Sequence, residues 1–171
     1  RSLRILAQRR IGSFDYALHG QHFFFLRQFA ERLQGMDEEP ASAPAIIGSG
    51  AASRAGSTSR SARVSILGVD SLFWTVGGGD NPFRGQGRNA GQVNRRLAED
   101  LGLAVGDELI LRARAPSMRS YEAPFTGGDD DMQVLRIRVG AIVDDRNLGH
   151  FGLSPHQRVP MNVFVPRGVL G

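Results

Sequence analysis

The chain has 171 residues, 41% of them hydrophobic and 22% charged, enough for one domain of one or two lobes with a real core. It contains no cysteine, which excludes disulfide scaffolds, thiolate metal centres and a cysteine nucleophile and leaves the compartment open. The formal net charge is +4, and every one of the 21 basic residues is arginine, as an arginine-rich codon usage would give. These arginines are scattered along the sequence without an aromatic-interleaved stripe, which argues against nucleic acid as a partner. No apolar run approaches the ~20 residues of a membrane span, and no signal peptide is visible.

In chain order, Ser2 is placed to cap a helix running to Arg10, with Leu3, Leu6 and Ala7 on one side. Ser13 to His19 alternates Phe14, Tyr16 and Leu18 as a strand would. His22 to Leu33 carries Leu26, Phe29, Ala30 and Leu33 at helical spacing, and Gly35 stops it. Pro40 to Ser61 is rich in Ser, Ala and Gly, so a short strand over Ala45 to Gly48 and a mobile loop over residues 49–61 are expected.

Arg63 to Val69 reads as a strand followed by a Leu72-Phe73-Trp74 anchor, and Gly77 to Gly91 as a glycine-rich connection. Val93, Leu97 and Leu101 recur at every fourth position, predicting an amphipathic helix that Gly102 terminates. Val105-Gly106-Asp107 is turn chemistry, and Glu108 to Ala113 alternates like a half-buried strand. Residues 115–133 form a long excursion, expected as a second mobile loop, before the strands Val134 to Val143 and Met161 to Val165. The fold class expected is α+β, a mixed sheet with two to three helices in a single domain spanning residues 1–171.

No side-chain constellation announces a reaction. Gly85-x-Gly87-x-x-Ala90 matches a loose dinucleotide fingerprint, but Pro82 and polar residues stand where a strand would have to enter the turn. Asp129-Asp130-Asp131 lacks the alternating ligands and distal glutamate of a calcium loop. His19 and His22, or His150 and His156, supply too few converging ligands for zinc. Gly48-Ser49-Gly50 is no nucleophile elbow, and Asp144-Asp145 alternate faces instead of facing each other. Neither a catalytic residue, a cofactor nor a metal is therefore expected. What remains is interaction surface: Met118, Tyr121 and Phe125 stand among polar residues of the 115–133 excursion as candidate partner contacts.

Asn94, Leu97, Ala98, Leu101, Gly102, Leu103, Val105, Gly106, Asp107 and Leu109 match an N-x-x-L-A-x-x-L-G-L-x-V-G-D-x-L pattern. Val139, Ala141, Ile142, Val143, Asp144 and Asp145 match V-x-A-I-V-D-D, and Val64 to Trp74 matches V-x-I-L-G-V-D-x-x-F-W. On these residues, and on Ile11 to Leu18, the chain resembles the extracytoplasmic core domain of FtsX-like (MacB-type) ABC-transporter permeases. It departs from that family at Arg95-Arg96, where an acidic residue is expected, and at Gly91-Gln92, where apolar strand residues are expected. The resemblance implies a MacB-like periplasmic core domain held between two transmembrane helices of an inner-membrane protein. It further implies a non-catalytic role, an ATP-binding cassette partner subunit or domain, a dimeric assembly, and a substrate or partner protein outside. The alternative reading is a free-standing soluble module binding a small molecule or peptide.

Overall fold

The computed structural model describes residues 11–15, 17, 42–87, 89–114, 132–153 and 159–170. Six strands lie among them: β1 (Ile46–Arg54), β2 (Arg60–Val69), β3 (Ala90–Asn94), β4 (Glu108–Arg114), β5 (Met132–Val143) and β6 (Asn162–Pro166). Two short helices, α1 (Ser71–Gly77) and α2 (Arg95–Leu101), follow β2 and β3 directly. A single 3-10 turn, Arg167–Val169, follows β6. The strands close into a barrel in the order β1-β2-β6-β3-β5-β4, with β4 returning to β1. The β2–β6 and β3–β5 pairs are parallel and the others antiparallel, so the fold is α+β with a mixed sheet, as expected. Closure of that sheet is a feature the sequence does not predict. It leaves no continuous open edge along the ring.

The alternation of each strand divides the apolar residues between two cores. Inside the barrel lie Val64 and Ile66 of β2, Leu109 and Leu111 of β4, Ile137 and Val139 of β5, and Val163 and Val165 of β6. Leu97, Ala98 and Leu101 of α2 pack into the same cluster. The outward residues Leu67, Val69 and Phe164 form a second core with Phe73 and Trp74 of α1, Leu148 and Phe151. Val143 joins this outer core although Val139, four residues earlier, faces inward. The cause is a bulge: Gly91 pairs with Val139 but Gln92 pairs with Ala141, so Gly140 is the extra residue and the phase flips beyond it. Gly140 also has no room for a Cβ, which would collide with Oε1 of Gln86.

Several elements correct the sequence reading. Residues 49–61, expected as a loop, are largely the facing arms of the β1–β2 hairpin, with Gly50 paired to Val64 and Ser53 to Arg60. The small residues there reflect crowding, not looseness. A Cβ on Gly50 would strike the carbonyl oxygen of Arg112 on β4. Val93 belongs to β3 and not to the helix, which starts at Arg95 after Asn94. The strand β3 likewise claims Ala90 and Gly91 from the expected glycine-rich connection. Residues 13–15 and 17 form no strand; Phe14 instead packs on Phe73 with ring centroids 5.4 Å apart. The helices expected at 2–10 and 22–33 lie outside the described residues, as does the 115–133 excursion except Met132 and Gln133, which open β5.

Gln92 is the oddity of the outer core. It is fully buried, and neither its amide nitrogen nor its oxygen has a partner among the described residues. Its neighbour Gly91 is forced by Ile137, whose Cδ1 fills the space a Cβ would take. An unpaired buried amide costs about 1–3 kcal/mol, so Gln92→Met, close in shape and without that cost, is expected to raise stability by about 1 kcal/mol. Urea denaturation of the two proteins checks this, and a loss on substitution would show that the amide has a use.

Candidate functional site at the junction of β3, β5 and β6

The end of β3, the end of β5 and the start of β6 meet at one end of the barrel, bringing together Asn94 and Asp144 from two of the resembling segments. Asn94 ends β3 and caps α2, its Oδ1 accepting the Leu97 backbone N–H at 3.1 Å. The same oxygen accepts the backbone N–H of Asn162 at 3.1 Å. Its Nδ2 donates to the carbonyls of Gly149 at 2.9 Å and Pro160 at 2.7 Å. Asn162, opening β6, donates its own Nδ2 to Gly149 at 3.0 Å and to Phe151 at 2.8 Å. Both asparagines are fully buried. Only a side chain with a donor and an acceptor can serve both sets of backbone groups, so this clasp ties β3, β6 and the 145–151 turn together.

That turn is unusual. Leu148 holds φ at 61°, a left-handed conformation rare for leucine, and is 3% exposed in the outer core. Gly149 beside it could not carry a side chain, because a Cβ would lie 2.6 Å from the Asp144 carbonyl oxygen. Close by, Asp144 Oδ1 accepts the Arg146 backbone N–H at 3.1 Å, and Asp144 Oδ2 meets the Arg95 guanidinium at 3.0 Å. His150 pairs with Asp145 at 2.9 Å. Arg95 is the basic residue that departs from the resemblance, and it stands at a helix start, where the dipole disfavours a cation. Asp144 supplies the compensating charge.

The Asp144 carboxyl is held below the usual aspartate range, first by the Arg146 backbone N–H and then by Arg95. Arg95 is in turn pushed up, chiefly by its hydrogen bond to Asp144. A carboxylate so held stays ionised at neutral pH and makes a poor proton donor. Because its folded pKa is depressed, its contribution to stability is present above the unfolded value of about 4 and disappears as pH falls through the lower folded value. In an NMR titration, Arg95→Gln is expected to move the Asp144 midpoint only part of the way back up, since the Arg146 backbone N–H still holds the carboxylate. A full return would contradict that backbone contribution.

At the strand ends beyond β2 and β6 lies a half-open recess of about 300 Å³ with Val69, Phe83 and Pro166 among its walls. Asp70 and Arg167 border it and pair at 3.4 Å, while Asp70 also caps α1 through the Leu72 N–H at 3.0 Å. Their polar groups are thus engaged with each other and with the backbone. Among the described residues no group of three or more histidine, aspartate or glutamate side chains is arranged to hold a metal.

A scan against protein-family models finds no match to this chain, and a search of curated proteins finds no significant relative. Met118, Tyr121 and Phe125 lie outside the described residues, as do His19, His22, His156 and Asp129 to Asp131. Gly85 and Gly87 lie in an exposed loop, and Ala90 is already in β3, so these three positions do not form a strand-turn-helix. Gly48 to Gly50 lie within β1. Sequence reasoning missed Asn162 altogether; an asparagine opening an otherwise apolar strand, Asn162-Val163-Phe164-Val165, was the available signal.

Proposed function

We propose that this chain is a non-catalytic extracytoplasmic domain of an FtsX-like (MacB-type) ABC-transporter permease, coupling ATP hydrolysis in a cytoplasmic partner to events outside the membrane. The observation that carries the reading is the meeting of the two resembling segments. About thirty residues separate them in sequence, yet Asn94 of one pairs with Val143 of the other on parallel strands, and Arg95 binds Asp144. Two segments that form one structural unit are better grounds for a resemblance than two coincidental matches. Each matched turn residue also has a mechanical role. Gly102 and Gly106 hold φ at 63° and 96°, and Asp107 Oδ2 accepts the Ala104 N–H at 2.8 Å. A tightly clasped barrel suits a part that transmits force instead of performing chemistry. In this reading the site needs no cofactor, the partner is an ATP-binding cassette subunit, and the assembled transporter is dimeric.

Among the described residues no helix is long and apolar enough to cross a membrane, so the spans must lie elsewhere in the protein if the reading holds. Sequencing the gene on both sides of this segment tests it. Apolar stretches of about 20 residues flanking the segment are expected. Flanks with no such stretch would overturn the reading. The Asp70–Arg167 recess favours the second reading, a small-molecule or peptide binding module, because about 300 Å³ is the lower end of ligand-sized pockets. A large thermal stabilisation by one small ligand would support that alternative.

A further inference from the structure

Five of the arginines that are scattered in sequence stand on neighbouring rows of the barrel wall. Arg60 pairs with Ser53, Ser53 with Ile110 and Ile110 with Arg136, so these four residues form one row across β2, β1, β4 and β5. Arg112 stands one row on, between Ala51 and Val134, with Arg63 at the bulge of β2 beside it. Arg138 stands one row back, opposite Glu108. The alternate residues Ala52, Leu109, Leu111, Ile137 and Val139 fill the barrel, so the arginines face outward. With strands ~5 Å apart and rows ~7 Å apart, the patch measures on the order of 15 Å each way.

Its charge is one-sided. Glu108 is the one carboxylate in these rows, and it binds Arg136 at 3.3 Å. Arg112 reaches the Ser53 hydroxyl at 3.5 Å and Arg138 the Gly106 carbonyl at 3.2 Å, both neutral groups. No described carboxylate pairs with Arg60, Arg63, Arg112 or Arg138. On the same face Val134 is 56% exposed and Met132 43%.

We infer that this wall, Arg60, Arg63, Arg112, Arg136 and Arg138 with Val134 and Met132 at its rim, docks on an anionic lipid bilayer surface. A sheet face with distributed cations and exposed apolar side chains at one edge matches headgroup charge and the acyl boundary together. Single-stranded nucleic acid would need stacking platforms, and these rows carry no aromatic residue. A duplex would engage the guanidinium groups but leave Val134 and Met132 without a match. The inference is independent of the permease reading.

Cosedimentation with phosphatidylcholine vesicles, with and without phosphatidylglycerol, tests it. Binding is expected only with phosphatidylglycerol, and added salt is expected to weaken it. The combined variant Arg63→Gln, Arg112→Gln, Arg138→Gln is expected to weaken binding roughly 100-fold, about fivefold for each arginine. A control with the same charge loss elsewhere, Arg84→Gln, Arg96→Gln, Arg146→Gln, should bind within a few fold of the parent. Glu108→Gln frees Arg136 and should tighten binding, a gain that added salt removes and that requires phosphatidylglycerol, unlike the adhesion of a misfolded chain. Absence of binding to anionic vesicles, or equal loss in both triple variants, would overturn the inference. So would duplex DNA binding that depends on these arginines while vesicle binding does not.

Discussion

Replacing Asn94 by alanine is expected to lower the unfolding free energy by about 4 kcal/mol, which is a large share of the 5–15 kcal/mol typical of a domain. The substitution removes the cap of α2 and the amide donor to the Pro160 carbonyl, and leaves the Gly149 carbonyl with Asn162 Nδ2 alone. It also strands the Asn162 backbone N–H, since Oδ1 serves that group as well. The Leu97 and Asn162 N–H groups cannot turn to water, because both lie in buried backbone beside Asn94. Serine at the same position keeps an acceptor for Leu97 and is expected to recover about 1 kcal/mol of the loss. Equilibrium denaturation in urea reads both, and a cost under about 1 kcal/mol for alanine would mean the clasp contributes no more than an ordinary cap.

Phe73→Ala is expected to cost a similar amount, about 4 kcal/mol, for a different reason. Phe73 is 1% exposed and lies at the centre of the aromatic group, edge-on to Phe151 at 4.9 Å and to Trp74 at 5.3 Å. Phe14 at 5.4 Å and Phe164 at 6.3 Å complete its surroundings. Four aromatic rings cannot collapse into the space of a fifth without opening the packing of α1 on β2 and β6. Leucine restores most of the volume, so Phe73→Leu is expected to cost about 1.5 kcal/mol. Combined with Phe151→Ala, the alanine change is expected to be non-additive, because the two rings share one cavity. Thermal and urea unfolding of the single and double variants check this, and simple additivity would contradict a shared cavity.

These two residues also mark what the sequence can and cannot reveal. Phe73 and Trp74 are legible as an anchor because large apolar side chains after a β-run have few uses besides a core. The Gly102 stop and the Val105-Gly106-Asp107 turn are legible because a left-handed backbone selects glycine locally. The segment over 49–61 misleads for the opposite reason. Its small residues answer to a neighbouring strand, the Arg112 carbonyl against Gly50, and that contact is made sixty residues away. Val93 misleads because a strand leading straight into a helix leaves Val93, Leu97 and Leu101 in one core, and spacing does not distinguish that from a single helix.

Barrel closure is equally invisible, since it depends on β4 finding β1 across more than fifty residues. The bulge at Gly140, which sends Val143 to the outer core, interrupts an otherwise clean alternation by one residue. The basic wall shows the same limit. Arg60, Arg112 and Arg136 become neighbours only through the register of four strands, so their scatter in sequence says nothing about their surface.

The proposed placement outside the membrane is tested most directly by labelling in intact cells. The segment contains no cysteine, so Thr58→Cys in the exposed β1–β2 turn provides a single reactive thiol in it. The full protein carrying this change is expressed, and a membrane-impermeant maleimide is added to cells whose outer barrier has been opened. The introduced thiol is expected to be labelled, with the modified peptide recovered from the membrane fraction. Labelling only after the inner membrane is broken, or a labelled peptide found entirely in the soluble fraction, would contradict an extracytoplasmic permease domain.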